Sequence, residues 1–364
     1  MRPRRRAKST VSTTEREALV IAPGATARAA PLAHVLRGGH VESVHRGHVA
    51  VVDDRGRLLA WAGEPRSMIF PRSAFKPFQA LPLVESGAFA RSGLGADALA
   101  LIAGSHSGTD RHAALARTIL AAAGADESAL RCGSHPPYDD ATAEALRARG
   151  EAPTPIRHNC SGKHAGMLLL ARFLGTPLAG YTDPDHPVQR RIFDRFATLV
   201  AEPFVDATPA IDGCSAPTPR IPIQTLAHAF ALLARGRDAA GAEVPALDEI
   251  REAMRAHPDL VAGEGRLDTL LMRAAPGIVA KAGAEGVHAV GVPERGIGIA
   301  IKIEDGSRRA LGPAVVSTLE YLGVIGAAER TSLAQHAGER LKNFAGIEVG
   351  EIRGVARLER AEAG

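Results

Sequence analysis

The chain has 364 residues, 45% of them apolar and 23% charged, which is enough for a large core and excludes global disorder. Three cysteines exclude a disulfide scaffold and suit a reducing compartment, and no apolar run reaches the length of a bilayer-spanning helix. The formal charge of +4 sits at one end, since residues 1–34 carry seven Lys/Arg against two Asp/Glu; the nearly neutral remainder, with 4% aromatics, argues against a nucleic-acid groove.

Residues 1–34 read as a flexible basic tail. Arg2, Arg4, Arg5, Arg6 and Lys8 precede a Ser/Thr run, and no apolar block of secretory type follows them. The body begins with a strand over His48–Asp53. Asp54-Arg55-Gly56 marks a turn, and Leu58–Ala62 returns as the second arm of a hairpin. The short apolar run Ala98–Ala103 reads as a strand ending at Gly104. Asp110 or Thr109 then caps a helix that Gly124 closes. Helical patterns follow over 163–174, 187–200, 222–234, 247–257 and 266–274. Strands return at Val287–Val292 and 296–304, a turn falls at Asp305-Gly306, and a last helix covers 310–322. Strands at both ends with helices between them predict an α+β fold: one antiparallel sheet built from N- and C-terminal strands, with helices packed on it. The body is one unit of two lobes over 35–330, followed by a C-terminal extension over 331–364.

Several polar clusters interrupt this pattern. Ser73 and Lys76 have the S-x-x-K spacing, which puts both on one face of a helical turn and Lys76 within reach of the Ser73 hydroxyl. A buried lysine sheds its charge readily and can serve as a base. Ser105-His106-Ser107 lies in a Gly-containing polar loop. Asn159-Cys160-Ser161-Gly162-Lys163-His164 lacks the spacing of a phosphate loop, which excludes a P-loop NTPase. Cys160 and Cys214, each in a polar loop with glycine, are either packing residues or ligands of a soft metal such as zinc. Cys132 has no evident partner. Lys281 follows a second Gly-rich loop, Gly263-Glu264-Gly265-Arg266, and the intervening helix.

In this order the segments Arg72-Ser73-Ala74-Phe75-Lys76-Pro77, Ser105-His106-Ser107, Cys160-Ser161-Gly162-Lys163-His164, Asp212-Gly213-Cys214 and Lys281-Ala282-Gly283 resemble the rhizobial-type L-asparaginases, the asparaginase II-like family. The resemblance covers about residues 38–325, with the Cys-Ser-Gly-Lys-His and Asp-Gly-Cys segments its most specific part. It implies a fold related to serine β-lactamases, penicillin-binding proteins and serine-dependent glutaminases. It implies hydrolysis of L-asparagine to L-aspartate and ammonia by a cytoplasmic homodimer. The implied catalytic pairs are Ser73 with Lys76 and Ser105 with Lys281; the implied zinc ligands are Cys160, Lys163 and Cys214. Arg72, His164 and Asp212 are the implied substrate contacts. The sequence does not choose which serine is acylated, and Ser73 is favoured because its lysine is fixed by local helix geometry. The alternative is another acyl-serine amidohydrolase, of glutaminase or β-lactamase type. Against the latter, the S-D-N element is missing and Lys281-Ala282-Gly283 stands where K-T-G would.

Overall fold

A computed structural model describes residues 29–203 and 209–361. The first strand, β1 (Ala30–Arg37), turns back into the long β2 (His40–Asp53), which is followed by β3 (Leu58–Ala62). The helical region includes α1 (Lys76–Glu85), α2 (Ala96–Ile102), α3 (Asp110–Ala122), α4 (Ser161–Phe173) and α5 (Pro187–Val200). It continues with α6 (Ile223–Arg235), α7 (Pro245–Ala256) and α8 (Leu267–Ala274). The chain returns to the sheet through β4 (Val279–Gly283), β5 (Val287–Val292) and β6 (Ile297–Ile303). Helix α9 (Arg308–Tyr321) then leads to β7 (Gly338–Lys342), β8 (Glu348–Gly354) and β9 (Glu359–Arg360).

The main sheet is antiparallel in the order β7-β8-β1-β2-β6-β5-β4, with β3 attached to β2 and β9 to β3. This is the architecture expected from strands at both ends of the chain. Strand β2 is its axis: residues 40–47 bond β1, 49–52 bond β3, and 47–53 bond β6. Strands β5 and β6 are nearly continuous apolar runs because both their faces are buried. Helix α6 packs on β2, β5 and β6, and α9 packs on β1 and β8.

Three expectations change. The run 98–103 is not a strand; it lies in helix α2 with a buried continuation, Ala103. Ala and Leu dominate it rather than β-branched residues, and α4 and α7 bury it, so helix propensity prevails over the strand-like brevity of the run. The expected tail lies outside the described residues for 1–28, but its last part is core: β1 starts at Ala30, and Leu32 and Ala33 are fully buried. The expected extension over 331–364 is also integral, because β8 pairs β1 from Ala33↔Gly354 to Arg37↔Gly350 and β9 pairs β3. Among the described residues no helix is long and apolar enough to cross a membrane.

Helix α1 is the centre of the helical region and touches α2, α4, α5 and α7. Its start is fixed by a cluster of rings: Phe75 lies 4.8 Å edge-on from Phe196, and Phe78 lies 5.3 Å from Phe196 and 5.6 Å from Phe230. These contacts hold the turn that bears Ser73 and Lys76. On the other side of the molecule, Leu32 anchors β1. Leu32→Ala should lower stability by about 2–5 kcal/mol, as for other buried leucines; a denaturant midpoint equal to the wild type would show that β1 adds nothing to the core.

Candidate active site

Ser73 sits in a single 3₁₀ turn, Arg72–Phe75, that runs directly into α1. The turn opens with Arg72 at φ 51°, a left-handed conformation that costs a non-glycine residue energy. The Arg72 side chain offsets part of that cost by donating from Nε to Asp212 Oδ1 at 2.6 Å. Asp212 is held below the usual carboxylate range: burial opposes its charge, but Lys163 and Arg72 outweigh it.

Lys76 opens α1 with 1% exposure. An ammonium buried this deeply requires acceptors, and Lys76 Nζ donates to Gly104 O at 2.6 Å, Ser105 Oγ at 2.9 Å and Asn159 O at 3.3 Å. Burial pushes its pKa down, and the nearby charge of Lys163 adds to the shift. The hydrogen bond of Lys76 therefore goes to Ser105 and not to the expected Ser73, because its acceptors converge from two other loops. The Gly104 loop makes this possible: a Cβ at Gly104 would lie 2.7 Å from Leu260 O, so only glycine lets the loop pack that closely. Ser105 N–H bonds Val261 O at 2.6 Å, and Arg266 Nη1 donates to Ser105 O. His106 Nδ1 accepts from Gly108 N–H at 3.2 Å, so its proton is on Nε2, which donates to Ser161 Oγ at 3.0 Å and ties the loop to α4.

Lys281 is not paired with Ser105, contrary to expectation. It is fully buried on β4 and donates to Ala282 O at 2.7 Å and Asp268 Oδ2 at 3.5 Å. Burial brings its pKa down to about 7, against the opposing pull of Asp268. Asp268, at the start of α8, also accepts from His288 Nε2 at 2.9 Å and Ala282 N–H at 2.9 Å. Sequence reasoning missed Asp268 and His288. Asp268 lies two residues beyond a recognised Gly-rich segment, and His288 is a single polar residue inside an apolar strand.

Next to these groups is a cavity of about 540 Å³ lined by Ser73, Ser105, Asn159, Arg266, Asp268 and Arg308, among others. Tyr138 also lines it, with the Arg266 guanidinium 5.4 Å from its ring centre. Two hydroxyls thus share one polar space, and a lysine of lowered basicity contacts one of them. Arg72, His164 and Asp212 are not in that lining. Arg72 and Asp212 are spent on each other, and His164 is fully buried with Nδ1 on the Tyr181 hydroxyl at 2.7 Å.

The two cysteine loops do meet. Lys163 Nζ donates to Cys214 Sγ at 2.9 Å, and Cys214 Sγ lies 3.7 Å from Asp212 Oδ2. Contact with Cys214 and the charges of Lys76 and Lys163 push the Cys160 thiol down, whereas contact with Cys160 and burial push Cys214 up. Burial works against the Lys163 charge, but Cys214 and Cys160 outweigh it and hold the ammonium. Burial brings His164 down to about 4, so it is neutral, and its Nε2 has no hydrogen-bond partner. All three cysteines are free and buried. Among the described residues no group of three or more His, Cys, Asp or Glu is arranged to hold a metal ion.

The α+β body thus carries a cavity lined by two serines, one of which accepts a hydrogen bond from a buried lysine. The chain belongs to the L-asparaginase II family, whose model matches residues 33–354. No curated protein matches it. Among solved structures it is similar to Mglu in its native form, at 15% identity and a TM-score of 0.46 over 77% of this chain and 65% of that one. It is also similar to the Bacillus subtilis glutaminase YbgJ in covalent complex with 5-oxo-L-norleucine, at 14% identity and a TM-score of 0.38 over 78% and 88% of the two chains. The chain therefore spans 65% of the length of the first of these.

The low pKa of Lys281 has a consequence for stability. Between pH 10.5 and about 7 the unfolded chain binds a proton at this site that the folded chain does not. The free energy of unfolding should therefore rise with pH across that window and be smallest below it, where the folded chain bears the cost of the buried ammonium. In Lys281→Met this increment should vanish; melting curves across the window that keep the wild-type slope would place the titration elsewhere.

Proposed function

We propose that the protein is an amidohydrolase that cleaves the side-chain amide of L-asparagine to L-aspartate and ammonia. One observation carries the reading: Ser73 and Ser105 line the same cavity while the buried Lys76 bonds Ser105 from behind. Family membership supports it. An amide is a poor electrophile and needs a nucleophile, a proton carrier and a stabiliser of the developing oxyanion. Ser73 is the nucleophile in this reading. It lies on the 3₁₀ turn leading into α1 and lines the cavity. Lys76 and Ser105 form the proton route, since Lys76 loses charge readily and Ser105 can both accept and donate. Arg266 and Arg308 give the cavity positive charge for the α-carboxylate of an amino-acid substrate.

In this reading the donors for a zinc ion are two sulfurs and the Lys163 amine once deprotonated. Cys160, Cys214 and Lys163 would hold the ion, which would supply a fixed positive charge linking the two loops. Through Asp212 and Arg72 that cluster reaches the residue before Ser73.

Ammonia release from asparagine and from glutamine by the purified protein tests the activity and its side-chain preference. Ser73→Ala and Lys76→Ala should each lower turnover by about 10³-fold or more, and the double variant should be little worse than either. Near-normal turnover in Ser73→Ala would transfer the nucleophile's role to Ser105. Elemental analysis should find at most about one zinc per chain, with affinity falling as pH drops. Cys160→Ala and Cys214→Ala should lose the metal and raise KM more than they lower Tm; an unchanged KM in both would make the cysteines packing residues.

A further inference from the structure

Behind the cavity lies a buried group that the serine–lysine chemistry does not by itself require. Asp268 accepts three donors with its two oxygens. Oδ1 takes His288 Nε2–H at 2.9 Å; Oδ2 takes Ala282 N–H at 2.9 Å and Lys281 Nζ at 3.5 Å. The lysine contact is the loosest of the three. His288 and the backbone thus fix the carboxylate, while Lys281 makes its short hydrogen bond to Ala282 O at 2.7 Å and meets Asp268 mainly through charge. Lys281 and His288 are fully buried, whereas Asp268, though itself buried, reaches the cavity lining. His288 touches no part of the cavity, its Nδ1 has no partner, and it enters from β5, a strand otherwise made of apolar residues and glycine. A histidine at such a place, bonded only to Asp268, is expensive for a core and has no packing reason to be polar.

We propose that Asp268 and His288 are positioning residues for Lys281: His288 clamps the Asp268 carboxylate, and the clamped carboxylate keeps the lysine loosely paired, with its proton free to exchange beside the cavity. This rests on the serine–lysine reading of the site. The charges facing Lys281 come from every side of its pocket: Asp268 on α8, Lys76 on α1 and Arg266 at the entry to α8. Asp268 faces Lys281 and His288. Among the charged groups only Asp268 favours the Lys281 ammonium, beside the Ala282 carbonyl at 2.7 Å; Lys76, Arg266 and burial oppose it. The clamp therefore matters. An unclamped carboxylate would swing its freed oxygen to the ammonium and form a tight pair that holds the proton.

The two obvious changes then have opposite signs. Asp268→Asn removes the one favourable charge, and the Lys281 titration midpoint should fall by about one pH unit or more. His288→Leu frees Oδ1, and the midpoint should rise. His288→Gln keeps a donor and should return the midpoint towards the wild type. The midpoint is read by NMR of the full-length protein with ¹³C-labelled lysine, assigned by its loss in Lys281→Met, a measurement that needs no turnover. In parallel, kcat and KM for ammonia release from asparagine are measured against pH. In His288→Leu, kcat should fall by about tenfold or more with KM little changed, as for a displaced proton-transfer group. If Asp268→Asn and His288→Leu lower Tm but leave both the midpoint and the kcat profile at wild-type values, the pair is structural and the proposal is overturned. Should His288→Leu not fold, Asp268→Asn decides alone, an unmoved midpoint overturning the proposal. A wild type that releases no ammonia fails the functional reading separately, and the titration still supports or overturns the clamp.

Discussion

A lysine ammonium with almost no access to water has to be matched by acceptors, and at Lys76 that requirement organises the molecule. Its three acceptors come from Gly104, Ser105 and Asn159, residues on two loops that follow different helices. Satisfying the amine therefore means placing α1, the 103–109 loop and the start of α4 together. The ring cluster of Phe75, Phe78, Phe196 and Phe230 supplies the apolar force that seats α1 there. Burial without full charge compensation is also what lowers the basicity of the lysine. The packing that makes Lys76 costly is thus the packing that makes it chemically useful.

A second buried lysine repeats the arrangement with a different partner. Lys281 meets a carboxylate where Lys76 meets carbonyls and a hydroxyl. Two amines of lowered basicity near one cavity can hold different protonation states at the same pH, because each lowers the other's affinity for a proton. The third buried lysine, Lys163, is pushed the other way by two sulfurs and retains its charge. Three lysines in one core thus differ in basicity through their neighbours alone.

Local chemistry made part of this legible in the sequence. The hairpin of β2 and β3 follows from Asp54-Arg55-Gly56 between apolar runs, α3 from its caps, and α5 and α9 from their patterns. Helix α2 was obscured because Ala98–Ala103 is too short for its period to show and both structures would bury it. Strands β1 and β8 were obscured because each is polar in part, and the pairing of one with the other joins segments far apart in the sequence. At the site, Ser73, Lys76, Ser105 and Lys281 are visible as residue types, but the pairing of lysine to serine is not. Helical spacing suggested Ser73 for Lys76, whereas the burial of the amine directs it to Ser105. Asp268 and His288 carry no motif, and only the fold brings a helix start and a strand interior into contact.

The pairing of Ala33 with Gly354 joins residues that nearly the whole length of the chain separates. During synthesis β1 emerges first and has only β2 beside it. Its other edge stays open until the ribosome has released the last strands, and the entropy of closing so long a loop must be met by contacts that form late. The helical region and the β2–β3 hairpin can collapse earlier around sequence-local contacts. Until β8 has been made, β1 carries an unpaired edge that is open to a neighbouring chain or a chaperone.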